Sequence, residues 1–534
     1  MDMERTPNSV PDFRWEQPQP KPPFALAKSD TAFALCAVAG SIFTAVFGIF
    51  GGFSLGYLLS VILMTLLMAA YFIKCGKVRI WAVLCGVLAL ANSAVFVCTT
   101  NGSVRFFGVV VSFLLQLTCF DGLVNPPVKG NRQSLNVFYG AASTMGNAGV
   151  AVKSLLSDAN GGSKTVAKTL IGLLCAVPVL FVVVPLLIAS DAAFSGMMEN
   201  LFGNAWETLL KAVFGVGMSV FVIAYGFSLK TGRTARAKQG SFVGVENVYI
   251  ISFLSAFAVC YLLYLFSQLA YFFSAFRGFL PEGEMTYAQY ARKGFFEMCI
   301  IAVINLVMVF AALLLAKKQD GRVCRGIQIL STFIAVFTLI IIATAISKMV
   351  LYIGAYGMTC LRLTTSAFMV FLAVVFGSVI LRIYSTKINV VKTALLTAGC
   401  VVLILGTVNV NRVCAQYNYE SYINGKLDTV DVTTLYHLGD EGVPYLVKLA
   451  EGENTDLAQQ AKNYLAKAYL WDYFNNMAHK KEFTAEDLQK NQKHKGFSYF
   501  SIPKAAAYES LYEFIQNHPE FSKVCQNYYF TYMD

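Results

Sequence analysis

Charge is the scarcest ingredient of this chain. Of 534 residues only 14% are Asp, Glu, Lys or Arg, while 56% are apolar. A soluble domain carries roughly a quarter charged residues, so an ordinary soluble globule is the first class excluded. Histidine is nearly missing too. All four, His437, His479, His494 and His518, fall after residue 412, and none has the spacing to a second His or a Cys that a zinc site requires, so no metal is expected. No GxSxG elbow occurs, which removes the α/β-hydrolase reading. "GNAGVAVKS", Gly146 to Ser154, has Val152 where a phosphate loop needs glycine directly before its lysine. That segment reads as an amphipathic helix, and no cofactor is expected. The thirteen cysteines form no metal or redox pattern; eleven lie in or beside apolar runs, where a thiol behaves as a small hydrophobe. The other two, Cys414 and Cys525, are the pair open to a disulfide in an oxidising compartment.

What the chain has in abundance is long apolar sequence. A hydrocarbon core about 30 Å thick needs roughly 20 apolar residues per helical crossing, and backbone in lipid must satisfy its own hydrogen bonds. Eleven runs qualify: Thr31 to Phe50, Phe53 to Ile73, Ile80 to Thr99, Phe106 to Leu123, Val166 to Ile188, Leu209 to Leu229, Val248 to Phe273, Phe295 to Ala316, Ile327 to Ile346, Thr364 to Leu381 and Val390 to Val408. The fourth is the weakest, being short and carrying Asp121 near its end. The expected fold is an all-α, polytopic transmembrane bundle of about eleven spans, followed by a small helical soluble domain.

Lysine and arginine set the expected orientation, because cytoplasmic loops hold the excess. With the N-terminus inside, the inner segments carry 23 of these residues and the outer segments of the membrane part only 7. An odd number of spans then places the C-terminal tail outside. The basic excess is therefore a topology signal; it lacks the contiguous basic face with interleaved aromatics of a nucleic-acid interface, and no nucleic acid is expected as a partner. Six of the fourteen prolines stand in the first 23 residues, so residues 1–29 read as a disordered cytoplasmic leader. Residues 30–411 form the membrane domain. Residues 412–534, with helical apolar spacing in "DLAQQAKNYLAKAYLWDYF", form the expected extracytoplasmic helical domain.

Polar chemistry at membrane depth defaults to a functional hypothesis. Asn305, inside the eighth run, fits a bond to a neighbouring helix. Five of the seven outer basic residues, Arg277, Arg292, Lys293, Lys348 and Arg362, crowd into two outer loops, and Glu297 stands one turn into the eighth run. Lys293 and Glu297 are spaced i, i+4 and suit a local surface pair worth a few tenths of a kcal/mol. Arg292 and Arg362 remain outside that pair, and arginine favours bidentate binding of carboxylate or phosphate. The expectation is that Glu297 faces the bundle interior and pairs with a basic residue of another outer segment, Arg362 first, then Lys348 or Arg277.

"YAQYARKGFFE" (Tyr287 to Glu297), "YGMTCLRL" (Tyr356 to Leu363), "YLLYLFSQLAYFF" (Tyr261 to Phe273) and "LDTVDVTTLYHLGDEGVPYL" in the tail carry a resemblance. They resemble a bacterial family of polytopic membrane proteins catalogued as domain of unknown function four-one-seven-three. The resemblance implies no established reaction. It does imply that Tyr290, Arg292, Glu297 and Arg362 are family-pattern positions, while Gln289 stands where the pattern more often has Glu. Three functions stay open for a protein expected in the bacterial plasma membrane. One is binding or transport of an anionic or lipid-linked envelope component at an outer-leaflet site. Another is a membrane-embedded transferase, for which Asp191, at the outer end of the fifth run, is the one acid on offer. The third is a sensor or assembly factor whose tail, 412–534, takes a protein partner. Membrane lipids are partners in every case.

Overall fold

The computed structural model describes residues 24–73, 78–125, 132–157, 204–234, 244–277, 295–317, 323–385, 388–476 and 496–521, with isolated positions between 179 and 191; side chains are excepted at 132–136, 139, 204–207, 268–277, 296, 355 and 468–476. The helices are α1 Lys28–Phe43, α2 Leu55–Ile73, α3 Ile80–Ser93 with its continuation Val95–Cys98, α4 Gly102–Val124, α5 Arg132–Met145, α6 Ala148–Ser157, α7 Asn204–Lys230, α8 Asn247–Arg277, α9 Phe295–Leu315, α10 Arg325–Tyr356, α11 Cys360–Tyr384 and α12 Val390–Val408. The tail adds α13 Val410–Ile423, α14 Val432–His437, α15 Val443–Ala450, α16 Thr455–Asn476 and α17 Ile502–Asn517.

The protein is an all-α, multi-pass membrane protein. Among the described residues, 10 helices are long and apolar enough to cross a bilayer, and they coincide with ten of the eleven apolar runs. The fifth run, Val166 to Ile188, lies almost wholly outside the described residues. The run marked as weakest is a full span, Gly102–Val124, because helix continues through polar residues at both ends of the apolar stretch. Side-chain caps set several starts: Asn101 accepts from Val104 N at 3.0 Å, Asn389 from Lys392 N at 3.1 Å, Asn409 from Arg412 N at 3.3 Å and Thr359 from Arg362 N at 3.4 Å. Each satisfies one of the donors that a helix start leaves open.

The helix ends sort into two faces. At one, called here the leader face, Asp30 of α1 meets Lys230 at the end of α7, Ser154 of α6 meets Phe24 N at 2.6 Å, and Lys392 of α12 lies over the Trp81 ring of α3. At the other, the tail face, Phe50 contacts Phe214 near the start of α7, and the turn after α10 meets Asn418 of α13. The chain is thus on the leader face at Ser157 and on the tail face at the start of α7.

Packing divides the spans into two bundles. In the first, α1, α2, α3, α4, α7 and α12 surround one apolar core that includes Phe33, Phe72, Leu115 and Phe227. Helix α12 sits close on α3, where a Cβ at Gly406 would come within 2.5 Å of Val95 and one at Gly399 within 2.6 Å of Leu88. In the second, α8, α9, α10 and α11 enclose two further clusters, one around Leu254, Val309 and Ile334 and one around Met298, Phe337 and Phe376. Helices α11 and α12 join the bundles.

Two contacts lie at the expected boundaries. Phe24, inside the segment read as leader, is buried against Phe227 and under the Arg233 guanidinium. The tail start expected at residue 412 falls inside α13, and tail residues Cys414, Leu435, Leu446 and Phe514 belong to the same core cluster as Val402 of α12. Between α12 and α13 the chain bends at Asn409, whose φ of 60° lies in the left-handed region that Asn tolerates better than most residues.

Candidate functional site

Of the residues singled out from sequence, Arg277, Glu297, Lys348, Arg362 and Asp191 fall at described positions. Tyr290 and Arg292 lie outside the described residues. Arg277 is the last residue of α8, with its backbone alone described. Asp191 is exposed. Glu297, expected to face the interior, is exposed in the first turn of α9 and forms no ion pair among the described residues. Its expected partner is engaged elsewhere. The Arg362 guanidinium donates to the carbonyls of Tyr356, at 3.2 Å, and Gly357, and lies 4.1 Å over the Tyr352 ring. It therefore satisfies carbonyls that the end of α10 leaves open, which is the physical reason that it does not reach for Glu297. Lys348, expected in an outer loop, is inside α10, because that helix continues ten residues past the apolar run. It is only 7% exposed.

Glu297, Lys348 and Arg362 share one side of the second bundle. A polar layer provides the reference height: Tyr261 donates to Asn305 Oδ1 at 2.6 Å and Asn305 donates to Thr338 Oγ1 at 3.0 Å, so α8, α9 and α10 are cross-bonded there. Asn305 bonds neighbouring helices, as its place in an apolar run suggested. At 1.5 Å per helical residue, Glu297 and Lys348 stand about 12 and about 15 Å from this layer toward the tail face. The contact of Cys299 with Met369, at 3.6 Å, sets the height of α11, and by the same count Arg362 stands about 20 Å up. The tail half of the second bundle thus holds a buried ammonium with a guanidinium above it. Toward the leader face the bundle has a lipid-side groove of about 630 Å³ between α8 and α9, lined by Phe253, Phe257, Val303, Val307 and Leu315 among others, with the Tyr249 hydroxyl as its one polar side-chain group.

A second constellation was not singled out from sequence. At the tail face of the first bundle Glu441 is 4% exposed. Its carboxylate accepts from Thr100 N at 2.7 Å, Thr99 Oγ1 at 3.2 Å, Asn411 Nδ2 at 3.4 Å and the Thr100 hydroxyl. Asn101 Nδ2 donates to Asn411 Oδ1 at 2.6 Å, and Asn409 Nδ2 donates to Cys98 O at 2.8 Å. Arg105 donates to the carbonyls of Thr99, at 2.7 Å, and Phe96, at 3.0 Å, which close the α3 segment. Three short polar stretches, "TTN" (99–101), "NVN" (409–411) and "GDEG" (439–442), thereby pin the tail to the bundle. Asn411 also accepts from the Cys360 thiol at 2.9 Å, and Cys360 lies 3.8 Å from Cys414. That contact and burial push the Cys414 thiol up. The sequence signal was available: Asn and Thr stand at the edges of apolar runs, and Glu441 lies in the tail segment "GDEG" already quoted for its family resemblance.

The leader face has its own tie. Asp30, with a side chain 5% exposed, pairs with Lys230, accepts from Tyr71 OH at 2.8 Å and from Ala27 N at 2.9 Å, and so joins α1, α2 and α7.

Among the described residues no group of His, Cys, Asp and Glu is arranged to hold a metal ion. No curated protein and no solved structure matches the chain. One family model does match, and its number is four-one-five-three where the sequence motifs suggested four-one-seven-three. The match covers residues 24–449, reaching from the packed Phe24 through Glu441 to α15, and the chain belongs to the family described as Domain of unknown function (DUF4153).

Proposed function

We propose that this multi-pass protein binds an anionic, lipid-linked or lipid component of the bacterial cell envelope from the tail-face leaflet, with the tail on the outer side of the plasma membrane. One observation carries the reading: Lys348, an ammonium 7% exposed inside the second bundle. A cation at membrane depth is costly on insertion and is normally kept where it meets charge or polar ligands. Arg362 lies above it, and Arg277 ends the neighbouring α8. The apolar groove between α8 and α9 lies in the opposite, leader-face half of the bundle and is not part of this site.

The test compares the wild-type chain with Lys348→Met in nanodiscs containing phosphatidylglycerol or phosphatidylcholine. Hydrogen bonds to charged groups contribute about 1.5–3 kcal/mol, so K348M should weaken retention of phosphatidylglycerol about tenfold or more while leaving phosphatidylcholine unaffected. Thermal unfolding of both chains is measured alongside, so that loss of the site is distinguished from loss of the fold. Equal retention of phosphatidylglycerol by both chains would remove the proposal.

The sensor or assembly reading is favoured by a different observation. The buried Glu441 seat couples the tail to the spans, so a partner bound by residues 412–534 would act on a tail fixed to the bundle.

A further inference from the structure

We infer that Cys360 and Cys414 form a dithiol–disulfide couple that clamps the tail to the second bundle. Cys360 is the first residue of α11 and Cys414 lies in α13, the first helix of the tail. Their sulfurs are 3.8 Å apart, so closure needs a small approach rather than movement of a helix. The two thiols differ in access: Cys360 is half-buried and Cys414 is fully buried. Order of reaction follows from that difference. Cys360, the more accessible thiol, whose S–H donates to Asn411 Oδ1 at 2.9 Å, meets a disulfide donor first; once deprotonated, its thiolate attacks one donor sulfur and releases one donor thiol. Cys414 then attacks Cys360 in the mixed disulfide and releases the second donor thiol. Two protein thiols are oxidised, one donor disulfide is reduced to two thiols, and the two protein protons leave with them. The donor class is a small-molecule or protein disulfide.

The clamp would act at the joint where the chain passes from the spans into the tail. Helix α13 follows directly on the bend at Asn409, and Asn411, between that bend and Cys414, is bound to Glu441 and to Cys360. Asn418, one turn further on, donates to Met358 O at 2.8 Å and accepts from Met358 N at 2.7 Å. A bond between Cys360 and Cys414 therefore fixes α13 against the turn 357–359 and holds the Glu441 seat in place. Reduction leaves those hydrogen bonds and the packing of Met358, Cys360 and Leu363 against the tail core to hold α13.

The experiment inserts a protease site between residues 385 and 388, so that cleavage puts Cys360 and Cys414 on different fragments of the full chain. Membranes are treated with oxidised glutathione, remaining thiols are blocked with a maleimide, and the cleaved chain is run with and without reductant. Linked fragments that separate on reduction are expected for the wild type and for Cys525→Ser. Separate fragments are expected for Cys360→Ser and Cys414→Ser. Separate fragments in the unreduced wild type would overturn the couple, as would linkage that survives Cys414→Ser. The wild-type lane decides the question even where a serine variant folds poorly, and a Cys414–Cys525 bond leaves the fragments separate because both cysteines lie on one of them.

Discussion

The two bundles meet the same solvent problem in opposite ways. The first ties its buried charges at its two faces, with Asp30, Tyr71 and Lys230 at one end and Glu441, Thr99, Thr100 and Asn411 at the other, and keeps neutral groups between them, where Gln116 donates to Thr65 Oγ1 at 2.7 Å and Asn92 to Gly399 O at 3.2 Å. The second places its polar groups inside the span. Tyr261, Asn305 and Thr338 cross-bond three helices at one level, and Lys348 is buried above them. In hydrocarbon the apolar effect does not drive helices together, and association rests on packing and interhelical hydrogen bonds. A bundle fastened at its ends can be a rigid platform. A bundle that keeps a cation within its span has kept a group that packing alone does not require, which is why the candidate ligand site is placed there and the platform role with the first bundle and the tail.

The largest effect that would break this contrast is at Glu441. Replacing it by Ala leaves the Thr100 amide and hydroxyl, Thr99 and Asn411 without their acceptor, and each buried donor so left costs about 1–3 kcal/mol. A total of about 3 kcal/mol or more is expected. It should appear as earlier thermal unfolding of the detergent-solubilised protein and as protease cleavage in the 424–431 connection under conditions that leave the wild type whole. An E441A chain that melts and digests like the wild type would show that the first bundle is not fastened to the tail there.

A smaller effect is expected inside the second bundle. Asn305→Leu removes the bonds to Tyr261 and Thr338 and adds apolar volume in their place. Interhelical hydrogen bonds in membranes contribute about 0.6 kcal/mol on average and about 1.7 at most, so N305L should shift unfolding by well under half of the Glu441 effect. If the polar layer serves ligand binding rather than stability, N305L will alter phosphatidylglycerol retention more than it alters melting. Equal shifts for N305L and E441A would erase the distinction between bundles.

The spans were legible in the sequence because their signal is local. Twenty apolar residues in a row must be helical in lipid whatever they pack against, and ten of the eleven runs are helices in the described structure with ends that differ by up to ten residues. Pairings were not legible, for equally physical reasons. Lys348 was read as a loop residue since "SKM" interrupts the apolar run, yet α10 continues through it until Gly357, at φ 76°, ends the helix. The Arg362 guanidinium was assigned to a carboxylate by charge, and it binds the carbonyls beside that same glycine instead. Glu441 escaped notice because its partners, Thr99 and Asn411, lie 342 and 30 residues away along the chain, and no periodicity links them. The Cys360–Cys414 contact escaped for the same reason: Cys360 was counted with the membrane thiols and Cys414 with the tail.

The smallest effect sharpens the comparison at its weakest point, Glu297. Its carboxylate is exposed in the first turn of α9, so the local environment that acts on it is the helix start, where a negative charge is favoured by about 0.3–1 kcal/mol. Glu297→Gln removes that charge without changing shape and should lower stability by no more than this amount. Two results are then distinguishable. If Glu297 serves only the helix start, E297Q will leave phosphatidylglycerol retention unchanged. If the exposed carboxylate instead repels an anion approaching Lys348 at nearly the same height, E297Q will raise retention, the reverse of the K348M effect. Loss of retention in E297Q, with melting unchanged, would contradict both and would return Glu297 to the ligand-binding role that its position in the sequence first suggested.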